Sequence, residues 1–559
     1  MGDLSTLTTL VVDSNNASAM QLKSQLHAIG VGRVDHARNG EQAIGAVRGA
    51  SYDILLVEIH LDSAMNGCDL VASLRQKQLI ERNCAVVFVS SEQSASAVIS
   101  AYSLNMDGFI VKPLRIIDLE NKLTALKQNI ETLTPIYRAL EQNSPAKAIE
   151  LLTKICVREP NNRRLEHTLL SLLESQQYWQ ALERWLAYKT GFSQRRQLAK
   201  SRLLWHKQNY SGAIKTLERL TNRLPRYVFA FDQLRDFYSA RNQQQEALRC
   251  AKRAAHIAPM VGTRSLIYAE LAAKTAQYPE LMDAGELLVK HIGLQKQQWL
   301  APLCRYFDSY IRLAMETEFE SLKKHLLRQK RVIFQTLRLR IAQSDRALLK
   351  ALSRITDSYI LLSMGERQAA YIFLMRSMAG SFQCVADLPP LLAQLYRFPA
   401  MALGERWIVN NVELHRHHSN QAGQDLFTAQ LAASHAGKYQ HYSEEIAELH
   451  NMVETQPKQV LSRLWPLQQD YDQVLELKLL LLRAMSAVCG DTSTRMPTQA
   501  LPSTTPTPTP EAMTQWVASL NSSFALQDSY RHRFAAECIK TQIAVISPAV
   551  TSKIMQINE

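Results

Sequence analysis

Four short apolar runs near the N-terminus each end on a polar side chain, and this recurrence restricts the fold more than any other feature. Leu10-Val11-Val12 ends at Asp13, Ile54 to Val57 at Glu58, Ala85 to Val89 at Ser90, and Phe109 to Val111 at Lys112. Amphipathic segments separate the runs, the first with Met20, Leu22, Leu26 and Ile29. Val34, ahead of the turn Asn39-Gly40, marks a fifth strand. Continuous apolar runs are buried on both faces, and strands that alternate with helices build a parallel, doubly wound α/β sheet. Ligands of such sheets sit at the carboxyl ends of the strands, so Asp13, Glu58, Ser90 and Lys112 are expected to converge on one pocket.

Taken with Asn66-Gly67 and with Gly108-Phe109 ahead of Lys112-Pro113, the ordered series resembles a bacterial response-regulator receiver domain over about residues 5 to 128. The resemblance implies a flavodoxin-like fold and an acidic pair after the first strand that holds magnesium. It also implies an aspartate after the third strand that takes the phosphoryl group, a Thr or Ser after the fourth that bonds it, and a lysine after the fifth that pairs with it. An aromatic residue near the fifth strand changes rotamer as the switch. Asp13, Ser90, Phe109 and Lys112 fit these roles, and Lys112-Pro113 is expected to be the cis peptide common in this turn.

Two departures fall on the chemistry: the second acidic position is Ser14, and the phosphoacceptor position is Glu58. Magnesium demands near-octahedral oxygen geometry, so a hydroxyl in place of a carboxylate removes charge and a strong ligand. Asp13 and Glu58 are left as the metal ligands, with Mg2+ expected to be weakly bound or absent. The extra methylene of Glu58 carries its carboxylate about 1.5 Å further from the backbone, which spoils in-line attack but brings negative charge towards Ser90 and Lys112. The expectation is a pseudo-receiver held in one state by a Glu58 to Lys112 ion pair. Asp62, in the following loop, is a poor substitute acceptor.

Beyond Lys127 the pattern is helical and periodic. Ala148, Leu152, Ile155 and Pro160 recur as Ala213, Leu217, Leu220 and Pro225, and as Ala247, Ala251, Ala254 and Pro259. A weaker unit at Ala181 lies between the first two, so successive alanines are 33, 32 and 34 residues apart. This resembles the tetratricopeptide repeat of about 34 residues, in which small residues let paired helices approach and proline ends the second helix. The resulting stack is a solenoid in which each repeat packs on its neighbours. The expected division is a receiver-like domain over 1–128, tetratricopeptide repeats over 129–262, and divergent helical repeats over 263–490. A Pro/Thr-rich linker over 491–511 and a C-terminal helical segment over 512–559 follow.

At 559 residues the chain exceeds the roughly 250 to 300 at which one core stops growing. Only 19 glycines favour long helices over turn-rich sandwiches. Eight scattered cysteines without a CxxC pair exclude a zinc ribbon or disulfide scaffold. With no long apolar run and no leader pattern, the chain is expected to be cytoplasmic, without membrane insertion. The net charge of +13 lies outside the first 128 residues, which carry 11 basic and 13 acidic groups. A basic cluster runs from Lys323 to Arg354, including Arg328, Lys330, Arg331 and Arg338, and a smaller one holds Arg195, Arg196, Lys200 and Arg202. Such runs are usually solvated helix faces, but they also suit an acidic protein or nucleic acid. His415, His417 and His418 do not converge as metal ligands should. No GxxxxGK[ST], GxSxG or HExxH occurs, so an enzyme activity has no constellation to carry it.

The expected function is therefore non-catalytic. A degenerate receiver controls or docks a solenoid that binds a protein partner, by resemblance a component of two-component (phosphorelay) signalling, with Phe109 and Leu114 beside the coupling face. The alternatives are a nucleic-acid-binding regulator acting through the 323–354 surface, and a receiver still phosphorylated in an atypical way.

Overall fold

The computed structural model describes residues 3–61, 66–91, 94–104, 106–293, 299–378, 388–418, 425–490, 512–513 and 515–517. The chain divides into two compact units, residues 1–302 with 340–342, and residues 303–339 with 343–559.

The first unit opens with β1 (Thr8–Val12), α1 (Asn16–Ala28), β2 (Arg33–Ala37), α2 (Gly40–Gly49), β3 (Ile54–Val57), α3 (Gly67–Gln76), β4 (Ala85–Ser90), α4 (Ala95–Tyr102), β5 (Gly108–Val111) and α5 (Ile116–Glu141). The five strands form one sheet in the order β2-β1-β3-β4-β5. Every pair is parallel. This is the parallel doubly wound sheet expected from the apolar runs, in the flavodoxin-like order that the resemblance implies. Side chains alternate across the sheet and feed two cores. Leu10, Val12, Leu55, Val57, Val86 and Phe88 pack on one face. Val11, Ile54, Leu56, Ala85, Val87 and Val89 pack on the other, against Leu119, Leu123, Leu126 and Ile130 of α5. The helices begin on short polar caps: Asn15, Asn39, Asn66 and Ser94 each accept from a backbone amide three residues on.

α5 does not stop where the receiver's core ends. Its later residues Leu133, Ile136 and Ala139 belong to a second core with Ala148, Leu152, Leu165 and Leu169. One helix thus serves both regions, and the division placed at residue 128 falls inside it. Pro135, which has no amide to donate, sits just past the handover.

The helices that follow are α6 (Pro145–Arg158), α7 (Arg163–Ser175), α8 (Trp179–Tyr188), α9 (Gln194–His206), α10 (Tyr210–Arg223), α11 (Val228–Ala240), α12 (Gln244–Ile257), α13 (Gly262–Lys274) and α14 (Tyr278–His291). Each packs on the next, and α5 with α7, α7 with α9, and α9 with α11 also touch, which is the pattern of a stacked helical solenoid. The small residues Ala148, Ala213 and Ala247 are fully buried, as the close approach of paired helices requires.

A second periodicity lies in the turns. Asn143, Gln177, Gln208, Asn242 and Ala276 all have positive φ, between 53° and 61°. They close the turns after α5, α7, α9, α11 and α13 and stand 31 to 34 residues apart. In each turn the next residue donates its amide five residues back: Ser144 to Ala139, Tyr178 to Leu173, Asn209 to Leu204, Gln243 to Tyr238 and Gln277 to Ala272. This is the Schellman closure of a helix C-terminus. The hairpin α13/α14 obeys it although its sequence lacks the terminal proline, so the regular stack includes five hairpins.

The second unit is helical throughout its described residues, from α15 (Leu300–Glu316) to a helix at Leu475–Gly490. Its core is aromatic, with Tyr306, Phe307, Tyr310, Tyr359 and Tyr396 fully buried. The buried Asp308 accepts from the amides of Phe427 and Thr428, both at 2.9 Å, and so caps the helix Phe427–Met452. Glu366 and Glu405 donate their amides five residues back, to Leu361 and Ala400, across Gly365 and Gly404 at φ of 79° and 80°. The same turn is built there with glycine.

Candidate functional site

The parallel register brings the strand ends together. Asp13 and Glu58 follow β1 and β3 directly and are joined by the bond from the Glu58 amide to the Val12 carbonyl, 2.9 Å. Ser90 is the last residue of β4, and the Lys112 amide bonds its carbonyl at 3.0 Å. Asp13, Glu58 and Ser90 are all buried. The expected convergence of four polar strand ends is therefore present.

Their side chains form a connected circuit that runs from Asp13 through Lys112 and Glu58 to Ser90. Lys112 Nζ stands 2.6 Å from Glu58 Oε2 and 2.8 Å from Asp13 Oδ2. Ser90 Oγ donates to Glu58 Oε1, and the Ile59 amide donates to the same oxygen at 2.8 Å. Asp13 also accepts from the Asn15 amide and from Ser18 Oγ, at 2.9 and 2.7 Å. Burial depresses the Lys112 ammonium, but hydrogen bonds and charge from Asp13 and Glu58 outweigh it and hold it above the usual lysine range. Ser14 is half-buried and takes no part in the circuit.

This donor set suits magnesium poorly. The two carboxylates already share an ammonium at contact distance, and the second acidic position is a hydroxyl. Among the described residues no group of three His, Cys, Asp or Glu side chains is placed to hold a metal ion.

Around the pocket, Phe109 is half-buried against the core that contains β4 and α4, and Lys112-Pro113 is a cis peptide. The turn after β3 leads to α3 through a tight contact. The Gly67 amide bonds the Ile59 carbonyl at 2.8 Å, and a Cβ on Gly67 would lie 2.1 Å from the Glu58 carbonyl oxygen. No other residue fits this position, which explains the Asn66-Gly67 pair. Asp62 lies outside the described residues.

The α3 and α4 side of the receiver carries contacts to the solenoid that the sequence did not reveal. Asn66 Nδ2 donates to the Met260 carbonyl, and the Gly262 backbone faces the Asp69 carboxyl. Met260 itself is part of the receiver core. Arg264 bonds Ser103 Oγ at 2.9 Å while paired with Asp232 at 2.8 Å. Arg164 pairs with Asp107, Tyr102 meets the Phe229 ring edge-on, and Ile99 packs on Val228, Ala254 and Ala258. Leu114, expected beside the coupling face, instead joins the opposite core of the sheet. The contacts from α3 and α4 go mostly to α11, α12, α13 and the turn between α12 and α13.

The basic clusters are also redistributed. Lys330 is not a surface residue: it is buried against Asp357 at 2.9 Å and the Ser353 carbonyl at 2.9 Å. Its spacing with Leu326, Ile333 and Leu337 places it on the buried stripe of the helix Glu320–Arg340. Lys323 is likewise buried and bonds the Ser363 carbonyl, and Arg354 bonds that of Arg376. Arg328, Arg331 and Arg338 are exposed. In the smaller cluster, Arg195 and Arg202 share the single carboxylate of Glu174, and Arg196 pairs with Glu166. The side chains of His415, His417 and His418 lie outside the described residues.

Fold and pocket together define the N-terminal region as a receiver domain of the two-component type. Residues 9–124 match the family described as response regulator receiver domain. The sensor protein EvgS of Escherichia coli strain K12 is 27% identical over 153 residues, which are 27% of this chain and 12% of that protein. The chemotaxis protein CheY-3 of Vibrio cholerae serotype O1, El Tor Inaba strain, is 22% identical over 121 residues, 22% of this chain and 92% of the other. Among solved structures, a two-component response regulator from Clostridium difficile is 26% identical over 22% of this chain and 96% of its own, with a TM-score of 0.20. No helix among the described residues is long and apolar enough to cross a membrane.

Proposed function

We propose that the chain is a cytoplasmic, non-catalytic adaptor of two-component (phosphorelay) signalling, in which a pseudo-receiver is docked on a tetratricopeptide-type solenoid that binds a protein partner. The observation that carries this reading is the state of Glu58. One carboxylate oxygen accepts from Ser90 and the Ile59 amide, and the other pairs with Lys112. The serine and lysine that in receivers engage an added phosphoryl group are here engaged by the side chain itself. Glu58 supplies a permanent charge in place of a transferable one. Because Ile59 also holds Gly67, and the adjoining Asn66 and Asp69 hold the turn at 260–262, that charge is mechanically continuous with the solenoid contact.

The test is intact-mass analysis after incubation with acetyl phosphate and magnesium, followed by partner binding. The parent is expected to gain no phosphoryl increment. A stoichiometric increment would establish the atypically phosphorylated receiver instead. Glu58→Gln and Glu58→Asp are expected to change affinity for a protein partner captured on the full-length chain from nuclease-treated native lysate. Identical affinities would reduce the receiver to a docking module. The nucleic-acid reading loses Lys323, Lys330 and Arg354 to internal bonds and rests on Arg328, Arg331 and Arg338. It requires affinity that falls steeply with salt.

A further inference from the structure

The first helices of the hairpins, α7, α9, α11 and α13, carry two different surfaces. The N-terminal ends of α7, α11 and α13 meet the receiver, through Arg164, Phe229 and Arg264. Towards the C-terminal ends of α7, α9 and α11 lies a groove of about 500 Å³. Two aromatic pairs line it. Trp179 stacks on His206 with centroids 4.5 Å apart and rings 16° from parallel, and Trp205 stacks on Phe237 at 4.0 Å and 6°. Between them Arg202 Nε donates to Gln233 Oε1 at 2.6 Å.

The charge that faces the groove is positive. Glu174 has a side chain only 7% exposed, and both its oxygens are occupied, by Arg195 at 2.7 and 2.8 Å and by Arg202. Two guanidinium groups against one carboxylate leave one positive charge over. Arg202, with its side chain 41% exposed, presents that charge to the groove. Its Nη2 has no partner among the described residues.

We infer that this groove binds an extended acidic segment of a partner protein, with a carboxylate on Arg202 and neighbouring apolar side chains on the Trp179 and Trp205 rings. Arginine and carboxylate form strong charge-assisted hydrogen bonds. The rings are already stacked before a ligand arrives, so little side-chain entropy is left to lose on binding. A basic segment would meet the uncompensated guanidinium and leave it unpaired. This inference rests on the adaptor reading and names the chemistry of its partner.

The full-length protein is probed against an array of decapeptides that combine Trp, Phe or Leu with Asp and Glu, with Lys and Arg, or with Ser alone. Affinities of the retained peptides follow from fluorescence anisotropy. Acidic peptides are expected to be retained, and Arg202→Gln, which can still bond Gln233, is expected to weaken them roughly tenfold or more. Trp179→Leu is expected to weaken them as well, and it decides the matter should Arg202→Gln fail to fold. A preference for basic or neutral peptides overturns the inference while leaving the adaptor reading intact. Acidic peptides bound equally by parent, Arg202→Gln and Trp179→Leu overturn the site. Retention of no peptide in any class counts against both the site and the peptide-binding solenoid.

Discussion

Lys112 sits between two carboxylates that have no other cation in contact among the described residues. Removing it would leave Asp13 and Glu58 facing each other while buried. Lys112→Ala is therefore expected to destabilise the receiver by about 2 kcal/mol, less than for a fully buried pair because the lysine is partly exposed. Added magnesium should restore part of this loss in the variant and do little for the parent, which urea denaturation with and without the metal would show. The raised Lys112 value means that the stabilisation is complete below the ordinary lysine range and fades only as pH rises through the folded value. The pocket residues were legible because a strand end fixes both the position and the direction of a side chain. Lys330 was legible too, in hindsight: it falls in step with Leu326, Ile333 and Leu337, and that spacing outweighs the charge of its neighbours. Arg264 and Asp69 were not, since a contact between residues so far apart in the chain leaves no local periodicity.

At the scale of elements, the alternation of apolar runs and amphipathic segments was enough to place all five strands, and buried alanines at regular spacing revealed most of the stack. The turns were hidden. Asparagine favours the left-handed conformation, but Gln177, Gln208 and Ala276 adopt it without such a preference, imposed by the helices on either side. Ala276→Gly should therefore relieve strain and stabilise the α13/α14 hairpin by about 0.5 to 1 kcal/mol, the gain being limited by the greater unfolded freedom of glycine. A lower denaturation midpoint for the variant would show that the turn carries no such strain. The reverse change, Gly404→Ala, meets both a positive φ and the Tyr471 ring, and should destabilise. The extent of α5 is not legible in the sequence because its apolar positions continue in register from one core to the next, while the change from mixed to purely helical pattern falls in its middle.

For the molecule as a whole, the second unit carries its own response to acid. Glu405 is buried and accepts from Tyr371 at 2.7 Å, and burial, helped by Glu476, pushes its carboxyl up to about 7. A carboxyl whose folded value is raised favours the folded state when protonated. Stability should thus be highest below the ordinary glutamate value and fall as pH rises through about 7, by about 3 kcal/mol in all. Glu405→Gln should flatten that dependence, as read from unfolding midpoints between pH 5 and 8.

The shared helix sets a mechanical condition on signalling. At 1.5 Å per residue the 26 residues of α5 make a rod of about 39 Å, embedded at one end in the receiver core and at the other in the first hairpin. Such a rod transmits torque. A receiver tethered by a flexible linker could swing away from the solenoid, but a splinted one can only pivot with it or bend the rod, and Pro135 marks the place where bending meets least resistance.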